Sequence, residues 1–275
     1  MLHKHNIFNG IWMIEDSYAA NYLPHLIAYL KGEQQTPVEK ISPLTIHTQS
    51  SSLSGSGDNS DDTGSIAVIS ISGPITKHGQ FCGPAGMQEV SELLEACYDS
   101  DDIKGIVLKV ESGGGDGMAM RLLNETIAKK NKTIVGFVED FACSAAYGIL
   151  SGCDYIVVNS DMARVGSIGT YLSIADYTKQ LEKQGIDLKT IYATASKDKN
   201  GEVREAMKGN TKPLEDLANI FNEHFLSTIE KNREDKLTET REVWGTGKVY
   251  FAEDAIKLGL VDKIDTFTNT LNYFT

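Results

Sequence analysis

The stretch KGIVLKVESGGGDGMAMRLLNETIAKK, residues 104–130, decides the fold class. Gly105–Val110 is a short apolar run of the kind that forms a buried strand. After Glu111 and Ser112 comes a glycine cluster, and Met118–Lys130 then has helical composition. Strand, glycine turn and helix in that order make a βα unit. The same order recurs outward on both sides. Upstream, Ile66–Gly73 alternates as a strand, and Met87, Val90, Leu93, Leu94 and Cys97 recur at helical spacing. Downstream, the pattern predicts a strand at Thr133–Val138, a short helix starting near Ser144 and a strand at Tyr155–Asn159. Later, Leu214, Leu217, Phe221, Phe225 and Ile229 mark a long amphipathic helix. Ala252–Leu258 is another helix, which stops at Gly259 before Leu260 and Val261 enter a final strand. The expected fold is α/β, with a parallel sheet of βα units flanked by helices.

Residues 46–65, IHTQSSSLSGSGDNSDDTGS, hold only two large aliphatic side chains and read as a linker. They divide an N-terminal segment, 1–45, from a main domain, 66–270. The N-terminal segment is expected to be helical over Tyr18–Leu30 despite Pro24. The 275 residues are 41% hydrophobic and 23% charged, an ordinary globular balance. The net charge of −12 argues against a surface that tracks nucleic-acid phosphates. Cys82, Cys97, Cys143 and Cys153 form no CxxC pair, so neither a metal site nor a disulfide framework is indicated. Ile11–Leu30 is too polar to cross a bilayer and lacks the features of a secretory signal, so no membrane anchor and a cytoplasmic setting are expected.

Two turns carry candidate chemistry. The cluster Ser112-Gly113-Gly114-Gly115 lets backbone N–H groups approach an anion or a developing oxyanion, although a glycine-rich turn is also simply a tight turn. Phe141-Ala142-Cys143-Ser144-Ala145-Ala146-Tyr147-Gly148 sets one serine among small residues at another strand-to-helix junction. That setting would present the hydroxyl at a turn with the Ala145 N–H facing a substrate oxygen. Taken alone, Ser144 is an ordinary helix N-cap. Cys143 competes as a nucleophile, but no histidine lies near it in sequence. His224 is the only histidine after His78 and falls on the long helix, which disfavours a Ser-His-Asp triad.

The ordered set GSIAVISISGPI, the Ser112–Gly115 turn, CSAAYG, VGSIGT at Val165–Thr170, IYATASK ending at Lys197, and AIKLGLVD at Ala255–Asp262 resembles the signal peptide peptidase A family. Within it, the soluble bacteriophage head-maturation proteases look most similar. The resemblance implies a ClpP/crotonase-like fold and a serine endopeptidase without a metal or other cofactor. It implies Ser144 as nucleophile, Lys197 as general base, Ser167 as the residue that orients the lysine, and the Gly114 and Ala145 N–H groups as the oxyanion hole. Gly113 departs from the family, which carries proline there. Lys199 is a rival to Lys197, and solvated surface lysine is the ordinary reading of both. A lysine acts as a base only when neutral, which burial or neighbouring positive charge brings about. The resemblance further implies an extended peptide or protein substrate, such as scaffold or capsid protein, and a homo-oligomer that can supply the lysine from a neighbouring subunit. Three alternatives share these residues: a host peptidase that degrades short peptides, a crotonase-like acyl-coenzyme A enzyme that holds an enolate at the two N–H groups, and a non-catalytic assembly protein.

Overall fold

The computed structural model describes residues 11–14, 42–48, 64–79 and 84–274. The elements relevant to the site are, in chain order, β1 (Ile11–Ile14), β2 (Leu44–Thr48), β3 (Ser65–Ser72), α1 (Met87–Asp99), β4 (Ile103–Ser112), β5 (Gly114–Asp116), α2 (Gly117–Ile127), β6 (Thr133–Cys143), α3 (Ala145–Leu150), β7 (Tyr155–Val158), β8 (Arg164–Gly166) and β9 (Tyr171–Leu172). They are followed by α4 (Thr178–Lys183), α5 (Gly201–Met207), α6 (Lys212–Arg233), α7 (Arg241–Trp244), β10 (Val249–Phe251), α8 (Ala252–Lys257), β11 (Lys263–Ile264) and α9 (Phe267–Leu271).

The main sheet runs β10-β8-β6-β4-β3-β2, with β7 also on β6 and β11 on β7. The pairs β3–β4, β4–β6, β6–β7, β6–β8 and β7–β11 are parallel, whereas the flanking β2 and β10 pair antiparallel. This is the expected mixed α/β architecture with a mostly parallel sheet. Side chains alternate between its two faces. Ile106, Leu108 and Val110 join the large core under α1, α2 and α3, while Val107 joins Ile66, Val68, Val135, Phe137 and Val157 on the other face. That second face is closed by Phe267 and Leu271 of α9 together with Phe274.

The N-terminal region differs from its sequence reading. Leu44–Thr48 is an antiparallel strand on β3, so Ile46–Thr48 complete a sheet edge rather than begin a linker. The alternating partner β3 supplies the template that a short polar strand does not announce by itself. The expected helix at Tyr18–Leu30 and the linker residues 49–63 lie outside the described residues.

A buried ion pair fastens the C-terminal part of the chain to the sheet. Arg233, at the end of α6 and 1% exposed, donates to the Gly259 carbonyl and to both carboxylate oxygens of Asp262. Asp262 also accepts from the Ile156 N–H at 2.7 Å and pairs with Lys236 at 2.9 Å. Burial pushes the Asp262 carboxyl up, but hydrogen bonding and charge from Arg233, aided by Lys236 and the Ile156 N–H, hold it below its ordinary value. Tyr147 of α3 donates to the Leu260 carbonyl at 2.8 Å. The GLVD motif is thus structural, and it anchors the helix that follows Ser144.

Candidate active site

Three parallel strands end side by side. Ser112 of β4 pairs with Ala142 of β6, and Cys143 of β6 pairs with Gly166 of β8. Just beyond these pairs stand Gly114, Ser144 and Ser167. The glycine turn, the CSAAYG turn and the VGSIGT segment therefore meet at the carboxyl ends of the sheet strands, where ligands bind in open α/β folds.

Ser144 has φ 56° and ψ −124°, outside the regions that ordinary residues occupy. A residue held there costs on the order of 1–3 kcal/mol and persists only where its surroundings fix it. The fixing contacts are visible: the Ser144 N–H donates to the Gly166 carbonyl at 2.7 Å, and its own carbonyl accepts from Gly148 at 2.9 Å. Tight packing beneath keeps α3 in place, since a Cβ on Gly148 would lie 2.2 Å from the Met120 sulfur. Ser144 makes no side-chain cap, so the N-cap reading does not explain it. Its Oγ is buried and has no hydrogen-bond partner among the described residues. This is a serine on a strained strand-to-helix turn, the physical form of a nucleophile elbow.

Ala145 opens α3, where its N–H has no intrahelical acceptor. The other expected oxyanion donor is differently placed: the Gly114 N–H donates to Ser112 Oγ at 3.1 Å. Ser112 Oγ in turn donates to the Gly73 carbonyl at 2.6 Å, and Ser112 is fully buried. This hydroxyl bridge fixes the turn around Gly113. Gly114 has φ 104°, and a Cβ on Gly115 would lie 2.2 Å from the Ile75 carbonyl oxygen, so the turn needs glycine at both places.

Ser167 also has positive φ, 50°, and its N–H donates to the Lys248 carbonyl at 2.7 Å. Lys197 is not brought to this cluster. It lies between α4 and α5 in a segment, residues 173–213, in which no residue is buried. Its carbonyl accepts from Arg204, and Lys199 is equally exposed. Cys143 is buried in the core, and His224 is exposed on α6. Asp116 caps α2 through the Met118 N–H, Asp154 accepts from the Ile134 N–H, and Glu139 pairs with Lys109 at 2.9 Å, all structural roles. Among the described residues no His/Cys/Asp/Glu cluster could hold a metal ion, and no helix is long and apolar enough to cross a membrane.

One participant escaped the sequence reading. Strand β1 lies between β5 and β9 in a separate three-stranded sheet beside the glycine turn. Four residues, IWMI, in a segment otherwise read as helical give too short an alternation to signal this pairing.

Comparison with known proteins matches residues 126–274 to Peptidase family S49. A candidate protease of Methanocaldococcus jannaschii is 34% identical over 182 residues, which cover 65% of this chain and 58% of that protein. Capsid assembly protease C of Escherichia phage lambda is 24% identical over 287 residues, covering 96% of this chain and 63% of that protein. The chain therefore spans less than two thirds of either relative's own length. Among solved structures it is similar to a membrane-bound stomatin-specific protease, with a TM-score of 0.48, 14% identity, and coverage of 75% of this chain and 82% of that one.

Proposed function

The chain belongs to peptidase family S49, and from that premise we propose that it is a serine endopeptidase with Ser144 as nucleophile and Lys197 as general base. The strained backbone of Ser144 and its hydroxyl, which has no hydrogen-bond partner among the described residues, are the observation that carries this reading. Ser144 Oγ attacks the peptide carbonyl carbon while its proton passes to the lysine amine, which then gives it to the departing amine. The resulting ester is hydrolysed by water. The Ala145 N–H supports the oxyanion in both steps. The Gly114 N–H joins it only when its contact with Ser112 Oγ is given up. Ser167, next to the carbonyl that fixes Ser144, orients the lysine.

Lys197 reaches the serine from another copy of the chain. Supporting this are the unburied segment 173–213 and its exposed apolar side chains, with Leu188 71% and Ile191 92% accessible. Covering such a segment in an assembly would remove apolar surface from water and supply the desolvation that a neutral amine requires. Substrates bind as extended strands, and maturation of phage scaffold or capsid protein is the proposed setting, supported by the likeness to the lambda protease along nearly the whole chain. A fluorophosphonate probe should attach to Ser144 in the assembled protein, as located by peptide mass spectrometry, and the signal should vanish in Ser144→Ala and Lys197→Ala. Labelling retained in Ser144→Ala would refute the assignment.

A further inference from the structure

The slot between the strand of the glycine turn and the strand after the VGSIGT segment is already filled by the chain itself. Strand β5, which carries the glycine turn onward, and β9, which follows the VGSIGT segment, stand one strand's width apart, and β1 occupies the space between them. It pairs antiparallel with both: Trp12, Met13 and Ile14 oppose Asp116, Gly115 and Gly114, while Ile11 and Trp12 oppose Leu172 and Tyr171. Extended peptides are captured in this way, with main-chain hydrogen bonds to a strand edge giving affinity without demanding a particular sequence. Direction matters as much as position. Running from residue 12 to residue 14, the chain advances toward Gly114, so its C-terminal end arrives level with the turn beside Ser144. A substrate lying antiparallel to β5 and offering a carbonyl to Ser144 would approach with the same polarity. Ser144 itself is buried, at 1% exposed.

We propose that Ile11–Ile14 is a self-inhibitory strand that holds the position of the extended peptide substrate and must leave before substrate binds. The inference rests on the peptidase reading above. A strand in the slot scales the apparent substrate affinity by the fraction of time the slot is open, without altering the chemistry at Ser144.

The test uses the full chain in its assembled form and a Met13→Pro variant, in which proline removes the N–H of a central β1 residue and cannot keep the pairing. On an extended fluorogenic peptide the variant should show KM lowered by about tenfold or more with kcat little changed, as expected when the open fraction rises. Adding the free peptide NGIWMIED, residues 9–16, should raise the KM of the variant again. Equal KM values in the two chains and no competition by the peptide, with Ser144 labelled by the probe in both, would overturn the inference and leave the peptidase reading intact. Absence of labelling and cleavage in both would overturn both. Should the variant fail to fold, amide hydrogen exchange on the wild-type chain decides. Protection at residues 11–14 should be lost when a peptidyl phosphonate occupies Ser144, and unchanged protection would refute displacement.

Discussion

From Ala142 to Leu150 every residue is buried; from 173 to 213 none is. The first stretch holds Ser144, the proposed nucleophile, on a strained turn fixed by β8, by Gly148 packing and by Tyr147 bound to the Leu260 carbonyl. The second holds Lys197, the lysine proposed to activate it, in a turn between two short helices with exposed isoleucine and leucine nearby in the segment. One chain thus holds one member of the proposed pair in a packed turn and carries the other on an unburied segment. The contrast suits a protease that stays inert until copies assemble, with β1 as the proposed second barrier.

Substitutions separate the two regions most sharply at the pair itself. Ser144→Ala and Lys197→Ala should each lower peptide hydrolysis by about 10⁴-fold or more, the scale seen when a nucleophile or its base is removed. Lys197→Ala should leave the thermal melting of the separated chain unchanged, because the residue is exposed. A measurable fall in melting temperature there would place Lys197 in the packed fold.

Stability should respond in the buried region alone. Removing the Asp262 carboxylate with Asp262→Ala strands the buried Arg233 guanidinium and should cost about 3–5 kcal/mol, read by denaturant unfolding. Because the folded Asp262 carboxyl titrates below its unfolded value, its contribution is complete above the ordinary carboxylate pKa near 3.9 and is lost as pH falls through the folded value. Acid unfolding of the wild type should therefore contain a component below about pH 4 that Asp262→Ala lacks. Gly148→Ala forces a methyl toward the Met120 sulfur and should cost about 1–3 kcal/mol, with lower probe labelling as the elbow shifts. An unchanged melting curve would mean that the support beneath Ser144 is softer than its packing indicates. The smallest change in stability is expected at the surface. Ile191→Ser should leave the chain's melting unaltered yet reduce oligomer mass in sedimentation and reduce hydrolysis in parallel.

Much of this was legible in the sequence because it is local. The βα units around Gly105–Val110 and Thr133–Val138 announce themselves through short apolar runs followed by turn residues and helical patterning, and the sheet follows their order. The turn at Ser144 is likewise written in small residues next to a strand. Its positive φ is not, since that depends on the Gly166 carbonyl reached through sheet pairing. The bridge from Ser112 Oγ to Gly73 and Gly114 links residues 39 positions apart and two positions apart, and only the folded turn shows that it occupies an expected oxyanion donor. Strand β1 was hidden for the same reason, because both its partners lie about a hundred or more residues downstream. Lys197 remains a family-derived assignment, since the segment around it carries no burial pattern to set its position.

The most direct test of the account mixes two inactive proteins. Ser144→Ala retains the lysine and Lys197→Ala retains the serine, so dissociating each and reassembling them together creates sites with both groups if the lysine crosses between copies. The account predicts that hydrolysis and probe labelling, each absent from the separate variants, return in the mixed assembly, with the label on Ser144 of the Lys197→Ala chain. Mixed assemblies that form yet stay inactive and unlabelled would contradict it.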